Sequence, residues 1–323
     1  MTTLAAPALP MLLEEVEVRR VDRLSPSYVR IELGSPALAE FGVDSGPLLD
    51  QRIKLIFPAA GRPLPSFVGA DETAMASWFA RPAEERGHMR TYTVRDVLGE
   101  GEDTRLVVDF VLHGVEGHGE AGPGSTWAAA AAVGDRLVTM APRRGAVYGG
   151  IEFTPGTAGR LLLVGDETAV PAVAAILGAL PADARGAAYL EVPLSADVQT
   201  LRHPEGVAVT WVPRDGAPRA ERLHALVLEH LGTSLAPLAV DLAVGDDEVD
   251  PDLWETPSYS SSGEDVEAAP VTTDPDLADL YAWIAGESKL VTGLRRALVQ
   301  GLGVDRRQVS FMGYWREGVA MRS

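Results

Sequence analysis

The apolar pattern of the chain changes character near residue 159, and no other feature constrains the fold as much. Before that point, short alternating runs rich in β-branched residues follow one another with turn signals between them. Val16, Val18 and Val21 are followed, across Ser25-Pro26-Ser27, by Val29, Ile31 and Leu33; Arg52-Ile-Lys-Leu-Ile-Phe57 then stops at Pro58. Strand runs without intervening helices predict an antiparallel sheet closed as a barrel. After residue 159, strands alternate with helices, starting with Arg160-Leu-Leu-Leu-Val164 and a helix over 169–180. That order predicts a parallel sheet with helical crossovers. The expected fold is therefore a two-domain one: an N-terminal antiparallel β-barrel at 1–150 and an α/β parallel-sheet domain at 157–323, in a chain long enough for two cores.

Within the first domain, the pattern predicts that the Arg90 run forms a hairpin with Arg105–Leu112 through the turn at Gly99-Glu-Gly101, and that a helical turn lies around Thr73–Phe79. The second domain should continue with strands at 187–192 and 207–213, a helix over 220–231, and a strand at Tyr281–Ala285. A turn at Gly286-Glu-Ser288, a helix to about Gly301 and a last strand at Gln308–Tyr314 complete it.

Charge is distributed unevenly. Residues 236–279 hold 13 of the 46 acidic residues and neither Lys nor Arg, so elsewhere 33 acidic residues stand against 28 basic ones. This acidic insertion, rich in Ser, Pro and Thr, is expected to be largely mobile, pinned locally by Leu253 and Trp254. The net charge of -18 argues against nucleic acid or an anionic membrane as partner, while the remaining surface can still bind an anion. No run reaches the length of a membrane span, and the first residues lack the pattern of a signal peptide, so a cytoplasmic monomer is expected. Without cysteine there is no thiolate metal site or cysteine-held iron-sulfur cluster, and any electron transfer needs an organic cofactor.

Three stretches carry candidate chemistry. Arg90-Thr-Tyr-Thr-Val-Arg95 alternates cation, hydroxyl and aromatic residues, placing Arg90, Tyr92 and Val94 on one face of a strand and Thr91, Thr93 and Arg95 on the other. A flat phosphate-bearing ligand suits that set, and so does a solvated strand face. Gly117, Gly119 and Gly122 match a dinucleotide fingerprint in spacing, but the strand that follows ends in Met140-Ala-Pro-Arg-Arg144 with no closing acidic residue. What survives is a glycine-rich approach to a helix start at Ser125, suited either to a phosphate or to a simple helix cap. Gly165-Asp-Glu-Thr168 joins a buried strand to a helix, the place where a doubly wound sheet holds a pyrophosphate. His113 and His118, five residues apart with no third ligand nearby, are not read as a metal site.

Six ordered motifs resemble the siderophore-interacting protein family, FAD-dependent ferric-siderophore reductases of the ferredoxin-NADP reductase superfamily. They are Arg90-Thr-Tyr-Thr-Val-Arg95, Asp109-Phe-Val-Leu-His-Gly114, Gly122-Pro-Gly-Ser-Thr-Trp-Ala128, Gly165-Asp-Glu-Thr-Ala-Val-Pro-Ala172, Tyr281-Ala-Trp-Ile-Ala-Gly-Glu287 and Gly313-Tyr-Trp-Arg316. The resemblance covers most of the chain. It implies an FAD-binding barrel and an NAD(P)H-binding α/β domain. Arg90, Tyr92, Thr93 and Arg95 would hold FAD, with Tyr92 against the isoalloxazine and Thr93 near its reactive nitrogen as the catalytic pair. His113 would lie beside the flavin, and the turn containing Gly122, Ser125 and Trp127 would take the FAD pyrophosphate. Gly165, Asp166, Thr168 and Ala169 would take that of NADH or NADPH, with Asp109, Gly286 and Glu287 completing the cofactor-binding set. Two departures stand out: eight residues, 114–121, precede Gly122-Pro123, more than the family pattern has, and Gly124 replaces a usual Ala.

The implied activity passes hydride from NAD(P)H to FAD and single electrons to Fe(III) in a ferric siderophore, releasing Fe(II). Lys54, one of two lysines in the chain, with Arg144 and Arg316, is the candidate basic pocket for the anionic substrate; Arg143 is the alternative to Arg144. A related flavin reductase with another acceptor, or a non-catalytic siderophore-binding flavoprotein, uses the same frame. Between NADH and NADPH, no basic cluster follows the strand ending at Val192, although Arg202 or Arg214 could fold in.

Overall fold

The computed structural model describes residues 9–43, 46–113, 121–232, 253–261 and 277–319. Gly117, His118 and Gly119, and most of 236–279, lie outside the described residues. The chain forms two compact units, dividing between Ile151 and Glu152, with Ser25–Ser27 counted in the second.

The first unit is one seven-stranded antiparallel sheet. Its strands are β1 (Met11–Arg23), β2 (Tyr28–Gly34), β3 (Arg52–Phe57), β4 (His88–Thr93), β5 (Asp96–Leu98), β6 (Arg105–Val111) and β7 (Arg136–Pro142), in the order β4-β3-β7-β1-β2-β6-β5. Alternation decides its inside: Val16, Val18, Ile31, Leu33, Ile53, Leu55, Val108 and Phe110 join one buried cluster. The edge strands β4 and β5 are consecutive in the chain, and the residues between them close the sheet. Val94 N–H donates to Gln51 O at 2.9 Å and Arg95 N–H to Val107 O at 2.8 Å, so two successive amides bond to opposite ends of the strand order.

This closure corrects the expected hairpin. Across the turn, β6 pairs with the short β5, and on its other side with β2, while the Arg90 strand pairs with β3. Val94 is fully buried just past the end of β4, because the chain crosses between the sheet edges there. The helical turn near 73–79 is present as α1 (Ala74–Phe79), followed by α2 (Ala83–Arg86). The barrel also carries α3 (Pro123–Ala130), which packs Ala128 and Trp127 on the same core.

The second unit is built on β8 (Arg160–Gly165), α4 (Val170–Ala179), β9 (Gly186–Val192), β10 (Val207–Pro213) and α5 (Glu221–His230). It continues with β11 (Trp254–Thr256), β12 (Tyr259–Ser260), β13 (Leu280–Glu287), α6 (Ser288–Arg295) and β14 (Val309–Trp315). The order is β10-β9-β8-β13-β14-β11-β12, parallel from β10 to β14. β13 is buried along its whole length, as a central parallel strand requires.

One expectation fails here. Gly286 and Glu287 belong to β13 rather than to a turn, because Glu287 itself caps α6, accepting from Lys289 N at 2.7 Å and Leu290 N at 3.2 Å. The expected pin at Leu253 and Trp254 within the acidic insertion is present: Trp254 and Glu255 pair antiparallel with Met312 and Phe311 of β14, and Leu253, Glu255, Thr256 and Ser260 are buried. Local composition is polar, but Arg295 and Arg306 neutralise Glu255 at 2.7 and 2.9 Å, and β14 offers it a backbone ladder. Trp254 also stacks on Tyr314, ring centroids 6.0 Å apart.

Candidate functional site

In the barrel unit, β4 brings the expected flavin residues to the start of α3. Tyr92 points inward, its ring 4.5 Å from Phe110 and 6.1 Å from Phe57, while Trp127 lies 5.4 Å from Phe57. Burial pushes its phenol well above the ordinary tyrosine range. A Cβ built on Gly124 would overlap the Tyr92 hydroxyl, so the departure to Gly at this position makes room for the tyrosine. Arg90 donates to Met89 O at 2.8 Å, and burial lowers its pKa. Thr93 is buried at the end of β4.

Other members of the set have structural duties. Asp109 receives Arg30 at 2.6 and 2.8 Å and stands 4.0 Å from Arg95, so it anchors two arginines across β2 and β6. Ser125 donates its hydroxyl to Val111 O at 2.8 Å and accepts from His113 N at 3.3 Å, tying α3 to the end of β6; the residue at the helix cap is Gly122. Two arginines and the first-turn N–H groups of α3, beside an aromatic cluster, make a donor set that fits a flavin nucleotide. Arg90, Arg95, Tyr92 and the Gly122–Ser125 turn are the residues that would hold it.

Outside the barrel wall the same strands form a groove of about 340 Å³ lined by Arg52, Lys54, Thr91, Met11, Met140 and Tyr148, among others. Arg52 and Lys54 are two apart on β3 and therefore share its outer face. Lys54 donates to Thr91 Oγ1 at 2.6 Å; burial, then the neighbouring Arg52, lowers its pKa. Tyr148 donates to Met140 O at 2.9 Å, and burial pushes its phenol up to about 12. Among the described residues, no carboxylate lines the groove. Arg144 does not line it: its guanidinium donates to Phe41 O at 3.2 Å, beside the Arg143–Glu40 ion pair. Arg316 follows β14 in the second unit. Arg52, which lines the groove, was legible in the spacing Arg-Ile-Lys but was not among the candidate cations.

In the second unit the carboxyl ends of the parallel strands meet around Asp166. This residue is fully buried, and its carboxylate accepts from Thr168 N and Oγ1 at 2.9 and 2.6 Å, Glu287 N at 2.8 Å and Trp315 Nε1 at 2.8 Å. Burial, reinforced by adjacent Glu167, raises its pKa. Gly165 has room for no side chain, since a Cβ there would run into Ala169, and one on Gly286 would come within 2.7 Å of the Asp166 carboxyl carbon. Asp166 and Glu287 thus organise the loop that leads into α4, where Val170 N–H donates to Asp166 O at 3.2 Å, and Thr168 spends its hydroxyl on Asp166. Arg214, one of the two arginines expected to be able to fold in, pairs with Glu167; Arg219, also paired with Glu167, and Trp315, with the Arg219 guanidinium 4.6 Å over its ring, are additions that the sequence did not assign.

The model for the siderophore-interacting FAD-binding domain matches residues 17–146, and that for the siderophore-interacting protein domain matches 158–318. An uncharacterized protein of Mycobacterium tuberculosis is 35% identical over 313 residues, 95% of this chain and 91% of that one. This chain belongs to the siderophore-interacting protein family. Its barrel is the family's FAD-binding domain, and FAD is its cofactor. Among solved structures, a siderophore utilization protein from T. fusca is 30% identical with a TM-score of 0.64, covering 97% of this chain and 96% of that one. The NADPH-dependent ferric-chelate reductase of Escherichia coli is 26% identical over 305 residues, 93% of this chain and 92% of that one.

Proposed function

We propose that this siderophore-interacting protein is a flavin-dependent ferric-siderophore reductase that takes hydride from NAD(P)H and delivers single electrons to chelated Fe(III), releasing Fe(II). The observation that carries the reading is the cationic groove of Arg52 and Lys54, with no carboxylate among its described lining residues, on an FAD-binding barrel. Two like charges on one strand face repel each other, and an anionic ferric chelate relieves that repulsion. Met11, Met140 and Val147, the last largely exposed, add apolar surface for the organic part of the chelate. FAD, when bound, supplies the change from two-electron to one-electron transfer. In the barrel, Arg90, Arg95 and the start of α3 bind its phosphates, while Tyr92 and Trp127 give it an aromatic wall. In the second unit, Gly165 to Ala169 and the first turn of α4 receive the nicotinamide nucleotide. Arg144 and Arg316 are second-rank candidates for the chelate. A ferric-chelate reductase among the relatives supports the same activity, although its name specifies NADPH.

The two half-reactions test this. Anaerobic NADH or NADPH should bleach the bound flavin, and a ferric siderophore should then restore its colour. Lys54→Met and Arg52→Met should raise the apparent KM for an anionic ferric chelate several-fold and leave the nucleotide half-reaction unchanged. Unaltered constants in the double variant, or faster reoxidation by a non-iron acceptor than by any ferric chelate, would reject the reading.

A further inference from the structure

The carboxyl edge of the parallel sheet has a charge pattern that bears on the nucleotide. Glu191, at the end of β9, is buried and accepts from Arg214 at 3.0 Å and from Ala220 N at 2.9 Å. Glu167 takes Arg214 at 2.8 and 3.2 Å and Arg219 at 3.1 Å. Burial works against the Arg214 charge, yet Glu167 and Glu191 outweigh it and its pKa is raised. Arg214 and Arg219 are thus committed to carboxylates of the protein.

Next to them stands Asp215, exposed and held in the left-handed region at φ 47°. Its amide donates to Pro193 O at 3.0 Å, just past β9. Its carboxylate accepts from Ser195 N at 2.7 Å and Ser195 Oγ at 2.5 Å. The Ser195 hydroxyl, then its amide, holds Asp215 below the ordinary carboxylate range, so it is ionised at neutral pH. Ser195 fixes where that charge sits, between the ends of β9 and β10.

The strand order reverses direction between β8 and β13, and a dinucleotide bound to a doubly wound sheet lies across that switch point. With its pyrophosphate at the start of α4, the adenosine half runs over the end of β9. There an acidic side chain accepts from a free ribose 2'-hydroxyl, whereas a 2'-phosphate needs an uncommitted cation. A phosphate monoester carries close to two negative charges at neutral pH, which Asp215 repels. We propose that Asp215, positioned by Ser195, selects a nucleotide without a 2'-phosphate, so that the hydride donor is NADH. The inference rests on the reductase reading and adds the identity of the donor and the residue that decides it.

The test uses the full chain with FAD bound and has two readouts. Calorimetric titration should show ADP-ribose binding at least tenfold tighter than its 2'-phosphorylated counterpart, and kcat/KM for anaerobic flavin reduction should favour NADH by at least tenfold. Asp215→Asn removes the charge at a position where Asn tolerates the left-handed backbone. It should narrow both ratios at least threefold. Equal or tighter binding of the 2'-phosphorylated probe, a preference for NADPH, or unchanged ratios in Asp215→Asn would overturn the assignment while leaving the reductase reading intact. Flavin reduction by neither nucleotide would reject the reductase reading, and the inference with it.

Discussion

The indole N–H of Trp315 donates to the Asp166 carboxylate at 2.8 Å, joining the end of β14 to the loop after β8 across the central strand β13. The same oxygen accepts from the backbone N–H of Glu287, the cap of α6. One buried carboxylate therefore holds three strand ends at the place where a nucleotide is expected.

Trp315→Phe keeps most of the ring packing and removes one donor from a buried anion. It should cost about 1–3 kcal/mol, the penalty for leaving a buried acceptor short of a partner. Urea midpoints of the two proteins measure this, with an unchanged slope expected because the fold is kept. A loss below a few tenths of a kcal/mol would mean that the Thr168 and Glu287 bonds suffice.

Asp166 also predicts a pH dependence. Burial, then Glu167, raises its pKa above the unfolded value of 3.8, so the native state binds more protons than the unfolded chain in the interval between the two values. The stability linked to protonated Asp166 is fully present below the unfolded pKa and is lost as pH rises through the raised native value. The stability gap between wild type and Asp166→Asn should therefore shrink from pH 4 to pH 7. A gap that is constant or widens, in denaturation curves across that range, would show that Asp166 is not raised.

Gly124 and Tyr92 should be coupled. Gly124→Ala places a methyl group on the buried Tyr92 hydroxyl and should lower both stability and FAD retention, although Ala favours a helix over Gly by about 1 kcal/mol. In the Tyr92→Phe background the nearest ring atom is 3.2 Å from that methyl, close enough to need only a small shift. The loss on adding Ala should then largely disappear. A double-mutant cycle of thermal midpoints and bound-flavin absorbance gives the coupling; additive effects would place the Tyr92 hydroxyl elsewhere.

Glu255→Ala leaves Arg295 and Arg306 facing each other without their shared carboxylate and should destabilise the second unit by roughly 3 kcal/mol. Glu255→Gln, which retains hydrogen bonding but no charge, should recover part of this. Thermal unfolding followed by Trp fluorescence is a suitable probe, because Trp254 stacks on Tyr314 beside the pair. A neutral Glu255→Ala would mean that its ion pairs with Arg295 and Arg306 add nothing to stability.

Periodicity alone identified both sheets, because the side-chain period of a half-buried strand and the alternation of strand with helix are written locally: β3 spans the expected Arg52–Phe57 and β10 the expected Val207–Pro213. Lys54 was also legible, as a cation on an alternating strand. Pairing was not. That Arg90–Thr93 turns to β3 rather than to β6, and that Val94 and Arg95 close the barrel by bonding to opposite edges, depends on which strands are free when the sheet rolls up. That Leu253 and Trp254 pin the acidic insertion was legible, but not that Glu255 beside them pairs with Arg295 and Arg306, 40 and 51 residues further along the chain, which cancel its charge. Composition measures a charge against water; tertiary structure measures it against its partner. In the same way Gly165-Asp-Glu-Thr168 announced a strand-to-helix turn, but only the packed sheet showed Asp166 bonding inward to Trp315 and Glu287, with Asp215 left as the exposed charge at the edge. Side chains far apart in sequence acquire fixed distances only when strands align, and the chemistry of this site lies in those distances.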